Sequence, residues 1–209
     1  MQDDPDYQAV DLMNYILGGG DFSSRITKVV RTDNGLAYST SSGFSGGLLY
    51  PGTFAAFCQT KNATVVFASQ LMLDLIEGMR GGDVTQADLD FAKTARVEAF
   101  PATFSDTSQT LFNFAQLEYN NRPRDYYDTL RAKYEKLTLA DIKRVARKWL
   151  QPDKMVIMIA GNIDEAKAGA DKMLPNQATI DAMAAKFGGR TIDGLAKQYG
   201  DGTVKIITL

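Results

Sequence analysis

The chain has no histidine, a single cysteine and no apolar run long enough to cross a bilayer. Without imidazole it cannot by itself assemble H-x-x-E-H, a Cys/His zinc site, a Ser-His-Asp triad or a Cys-His dyad. Catalysis by this chain alone would need carboxylates, lysine or tyrosine. Cys58 has no second thiol to pair with, and its strand-like apolar setting, TFAAFCQTK, reads as a small hydrophobe rather than a nucleophile. A basic surplus is also missing, with 23 Lys and Arg against 25 Asp and Glu, so the expectation is no nucleic-acid partner. The first residues, MQDDPDYQAV, have neither the basic start nor the apolar core of a signal peptide. A soluble chain with no membrane span is expected, in a compartment left open, periplasm and cytoplasm both being compatible.

Hydrophobic residues make up 44% of the 209 positions and charged residues 23%, an ordinary balance for a folded chain that buries a real core. Apolar residues near helical spacing predict a helix over residues 5–17, stopped by Gly18, Gly19 and Gly20. Asp21 or Ser23 then caps a short helix with Ile26, Val29 and Val30 inward, ended by Asn34-Gly35. LAYSTSSGFS and LLYPGTFAAFCQTK read as an antiparallel strand pair about a Gly46-Gly47 turn. Helices follow over 62–79, from Thr85 to Phe100, over 105–119, over 124–137 and over IKRVARKWL, with Thr85/Asp88 and Thr138/Asp141 as capping boxes. In the last of these, Ile142, Val145, Ala146 and Trp149 share a face opposite Lys143, Arg144, Arg147 and Lys148, which read as solvated.

The run KMVIMIAGN predicts a buried strand, with Met155 and Met158 in the core. A helix after Asp164, a looser tail with Pro175 and Gly188-Gly189, and a last strand, VKIITL, complete the pattern. The fold class expected is α+β, a two-layer arrangement with few strands for its helices, incomplete at its N-terminus, where a preceding segment would supply another strand. Residues 1–165 are expected to form the core and 166–209 a C-terminal extension ending in a strand.

The stretch LGGGDFSSRITKVVRTDNGLAY carries the chemistry. Its glycines suggest a phosphate loop, but such loops follow a strand, and these follow a helix without G-x-x-x-x-G-K-[ST] or G-x-G-x-x-G. Arg25, Arg31 and Tyr38 are candidates to converge on a carbonyl or a carboxylate. Taken on pattern alone, Arg31 also reads as a solvated helix-end charge and Tyr38 as a half-buried strand residue.

With DPDYQAVDLMNYILGGGDFSSRITKVVRTDNGLAYSTSS, VTQADLDFAKTARVEAF and YEKLTLADIKRVARKWLQPDKMVIMIAGN in that order, the chain resembles the insulinase/pitrilysin family of zinc metallopeptidases. The resemblance covers roughly residues 4–164 and is to the C-terminal, non-catalytic half, as in processing-peptidase-like proteins. It implies one half of an α/β clamshell that closes around an unfolded peptide. The partner would be an H-x-x-E-H catalytic half, in the same polypeptide or a separate subunit, and the zinc would lie there, this chain holding no cofactor or metal. By the same resemblance Tyr38 would donate its hydroxyl to the scissile carbonyl oxygen and Arg31 would hold the substrate nearby. The alternative is a peptidase-like assembly or peptide-binding module without a proteolytic role.

Overall fold

The computed structural model describes residues 1–48, 50–168, 177–187, 189, 191–199 and 205. Helix α1, Tyr7–Asn14, continues into a wider π-helical turn, Tyr15–Gly19, and after a short 3-10 turn, Asp21–Ser23, a π-helical segment covers Thr27–Asp33. Strands β1, Ala37–Phe44, and β2, Phe54–Thr60, pair antiparallel and form the one sheet among the described residues. Helices α2, Val65–Gly81, α3, Gln86–Ala99, α4, Thr107–Tyr119, α5, Tyr126–Lys136, and α6, Leu139–Trp149, follow. Three shorter helices close the order: α7, Ile163–Ala168, α8, Gln177–Lys186, and α9, Ile192–Gln198. The architecture is α+β, helices packed on a small sheet, and no described helix is long and apolar enough to cross a membrane.

Burial on several sides explains why α2 is apolar nearly all round. Its Leu71, Ile76 and Met79 join Leu12 and Met13 of α1 and Ile142, Val145 and Ala146 of α6 in the main core, and α6 packs on both α1 and α2. Another face, through Val66 and Leu73, meets Phe187, Leu195 and Tyr199. The tail that reads as loose in sequence therefore contains two helices, α8 and α9, which pack on α2. Local signals set the helix ends. Thr85/Asp88 and Thr138/Asp141 form both predicted capping boxes, and Gly82, at φ 90°, closes α2 by donating to the carbonyl of Gly78 at 3.0 Å.

Three expectations change. The strands are not joined by a tight Gly46-Gly47 turn: β1 ends at Phe44 and β2 begins at Phe54, and Ser45 N–H donates to the Thr53 carbonyl at 3.0 Å. Residues 155–160 are not a buried strand; they pair with no strand among the described residues, and Val156 and Met158 are 85% and 89% exposed. Met155 does pack against the core, so this segment alternates in and out, and an all-apolar run hides that alternation. Trp149 is half-exposed, with the Lys148 ammonium 4.6 Å from its ring centroid, rather than buried beside Ile142. Pro175 and the predicted last strand lie outside the described residues, apart from Lys205.

Candidate functional site

The site is built where α1 runs into β1. The glycine run does not stop the helix outright: Gly18 and Gly19 belong to the π-helical turn, and the break comes at Gly20. Gly18 lies against β1 so closely that a Cβ there would sit 2.8 Å from the Ser42 amide nitrogen. This contact requires glycine, because any side chain would push the helix off the strand. Beside it, buried Asn14 donates to the Ser42 carbonyl at 3.0 Å and accepts from the Ser42 hydroxyl at 2.7 Å. Helix end and strand are thus locked by a reciprocal, fully satisfied pair.

One step along β1 the tie repeats with hydroxyls. Thr40 donates to Thr27 Oγ1 at 3.0 Å, and Ser24 donates to the same oxygen at 3.1 Å. The π-helical segment then ends at Asn34-Gly35 as the sequence predicts. Gly35, at φ 60°, donates to the Arg31 carbonyl at 3.0 Å, and the Asn34 amide reaches back to the Val29 carbonyl at 2.8 Å.

At the open end of the strand stands Tyr38. The register shifts between Ala37 and Ser39, so Tyr38 is the extra residue of a β-bulge, a device that re-aims a side chain at a strand end. Its ring is 82% exposed, and its hydroxyl has no hydrogen-bond partner among the described residues. The Arg31 guanidinium carbon lies 4.9 Å from the Tyr38 ring centroid and 4.4 Å from that of Phe22. Phe22 is 66% exposed and follows Asp21, whose left-handed φ of 46° turns the chain after the glycine break. The two predicted residues are therefore neighbours, Tyr38 exposed and Arg31 half-buried, with one exposed aromatic that sequence reasoning passed over. The available signal was an exposed aromatic placed among glycines and polar residues.

Arg25 does not join them. Its guanidinium is held by Asp83 and, at 2.9 Å, by Asp88, the same carboxylate that closes the α3 capping box. It ties the helical hinge to α3. Burial pushes the Cys58 thiol up to about 11, so it is protonated and inert near neutral pH, as a small hydrophobe should be. Burial alone would raise the Asp6 carboxyl, but Lys148 and Arg144, both at 2.7 Å, outweigh it and hold Asp6 below the ordinary carboxylate value. Half of the basic face predicted to be solvated thus anchors the start of α1. No group of three Cys, Asp or Glu side chains that could hold a metal occurs among the described residues.

Residues 1–96 match the family profile described as the peptidase M16 inactive domain. A peptidase M16 inactive domain from Pseudomonas fluorescens is 30% identical and superposes with a TM-score of 0.64, over 72% of this chain and 35% of that one. The inactive peptidase domain of a proposed zinc protease from Bordetella parapertussis shares the fold, with a TM-score of 0.59 at 20% identity over 71% of this chain and 80% of its own. The non-peptidase homolog YmxG of Helicobacter pylori is 27% identical over 156 residues, 72% of this chain and 34% of that protein. The chain spans about a third of the length of the Pseudomonas and Helicobacter proteins.

Proposed function

The chain resembles the non-catalytic, C-terminal half of M16 zinc peptidases, the peptidase M16 inactive domain, and from that premise we propose that it completes the active site of an H-x-x-E-H half. The supporting observation is the juxtaposition of Arg31 and Tyr38 on a rigid strand-helix junction, with the tyrosine hydroxyl exposed and unengaged among the described residues. The H-x-x-E-H ligands would come from the partner half, since this chain has no histidine. Zinc bound there would supply the activated water.

The residues of this chain do the rest. Tyr38 donates its hydroxyl proton as a hydrogen bond to the scissile carbonyl oxygen as charge develops on it, while Arg31 holds the substrate beside it. A donor fixed in advance at the developing oxyanion is worth about 3 to 4 kcal/mol in comparable sites. The bulge at Tyr38 and the Thr27–Thr40 tie hold donor and cation in register. By the same resemblance the substrate is an unfolded peptide.

A second reading is favoured by one observation: the Helicobacter pylori relative is described as a non-peptidase homolog. On that reading the chain is a peptide-binding or assembly module and Tyr38 takes no part in bond cleavage. The two separate in a recombination experiment, in which an unfolded peptide is offered to the H-x-x-E-H half with and without this chain. The peptidase reading expects cleavage to depend on adding the chain. Peptide binding with no gain in cleavage would favour the module.

A further inference from the structure

We propose that Phe22, Arg31 and Tyr38 form a carboxylate clamp, so that the peptide gripped here presents either an acidic side chain or its own C-terminal carboxylate to Arg31. The inference rests on the reading of this site as peptide-gripping and adds the chemical class of what is gripped.

The argument starts from a contrast between two arginines on the same helical hinge. Arg25 is fully engaged, by the carboxylates of Asp83 and Asp88 and by the Asp83 carbonyl at 3.4 Å. Arg31 contacts two aromatic rings and, among the described residues, makes no side-chain hydrogen bond and no ion pair. Its sequence neighbour Asp33 is taken by Lys28 at 2.7 Å, and Asp21 stands outside ion-pair distance. A cation over ring faces is positioned by them, but rings do not accept its five N–H donors as oxygens do.

Arg31 is therefore a half-buried guanidinium set against two rings, with no carboxylate partner and no side-chain hydrogen bond among the described residues. The acceptor that fits a guanidinium edge best is a carboxylate, bound through two parallel, charge-assisted hydrogen bonds. A neutral peptide carbonyl offers one weaker bond. The exposed rings of Phe22 and Tyr38 wall the same spot and cover apolar atoms next to the bound carboxylate, keeping water from one side of the pair.

The test titrates the whole chain, by calorimetry, with three forms of one unstructured peptide. The first is blocked at both ends and has no acidic residue, the second has one Gln→Glu change, and the third has a free C-terminal carboxylate. The clamp predicts about tenfold tighter binding for one or both carboxylate forms than for the blocked peptide. Which form gains identifies the source of the carboxylate. Arg31→Gln abolishes the gain, so that all three peptides bind it with the same affinity, and Arg31→Lys, which keeps the charge but not the fork, restores only a small part of the difference. Unchanged thermal unfolding of both variants shows that the fold is kept.

Equal binding of all three peptides, or a preference that survives Arg31→Gln, overturns the clamp. In the first case, Tyr38-dependent cleavage of the blocked peptide by the recombined halves would leave the peptidase reading standing. Conversely, a carboxylate preference with cleavage indifferent to Tyr38 keeps the clamp and removes the catalytic role. No binding of any of the peptides overturns both.

Discussion

The two ends of β1 meet the same helical hinge in opposite ways. At the inner end, Ser42 is buried against Gly18 and locked to Asn14 by two hydrogen bonds, with every polar group satisfied. At the outer end, Tyr38 and Arg31 touch through a ring face and leave hydroxyl and guanidinium donors without protein acceptors among the described residues. One end spends its polar chemistry on the fold, and under the proposed function the other keeps it for a ligand. Between them, the Thr40 hydroxyl donates to Thr27 and ties the strand to the helical segment.

That contrast breaks most visibly in stability. Gly18→Val places carbon on the Ser42 backbone and is expected to cost about 3 kcal/mol, a drop of several degrees or more in thermal midpoint, read by circular dichroism. Ser42→Ala strips the partner from a buried Asn14 oxygen and should cost about 1 to 3 kcal/mol in denaturant unfolding. Were either substitution silent, the inner end would not be the anchor.

The pH dependence sharpens the same picture from the other side of α1. Asp6 is held below its ordinary carboxylate value when folded, so its contribution is fully present above about pH 4 and is lost as pH falls through the lowered value. Asp6→Asn should flatten that acid limb and lower neutral-pH stability by about 1 to 2 kcal/mol, modest because Arg144 and Lys148 are half-exposed and screened. Urea unfolding at pH 3 and pH 7 measures it. The smallest effect belongs to the outer end, where Phe22→Ala is expected to change stability by no more than about 0.5 kcal/mol, since an exposed ring adds little to the fold.

Much of this is legible in the residues, for reasons that differ by element. The capping boxes at Thr85 and Thr138 and the turn at Asn34-Gly35 are local devices, complete within a few residues, and they fold as read. The π-helical turns are not legible, because an i to i+5 ladder leaves no distinct mark in a short apolar pattern. Arg25 and Arg31 look alike in sequence; their division of labour is decided by Asp83 and Asp88, which the fold brings in from the start of α3. The run after Asp153 fails as a predicted buried strand because its composition records hydrophobicity but not whether a neighbouring strand is there to pair with it. The proximity of Arg31 and Tyr38 is legible in their places, one near the end of the short helix and the other at the start of the next strand, while Phe22, the ring completing their contact, carries no mark of it in the sequence.

The most direct measurement is the turnover of an unfolded peptide by the H-x-x-E-H half recombined with this chain, comparing wild type with Tyr38→Phe. The account predicts a loss of roughly a hundredfold or more in kcat with KM and thermal midpoint unchanged, the signature of an interaction made in the transition state alone. Equal kcat for the two proteins would contradict it and leave Tyr38 a bystander at the edge of a sheet.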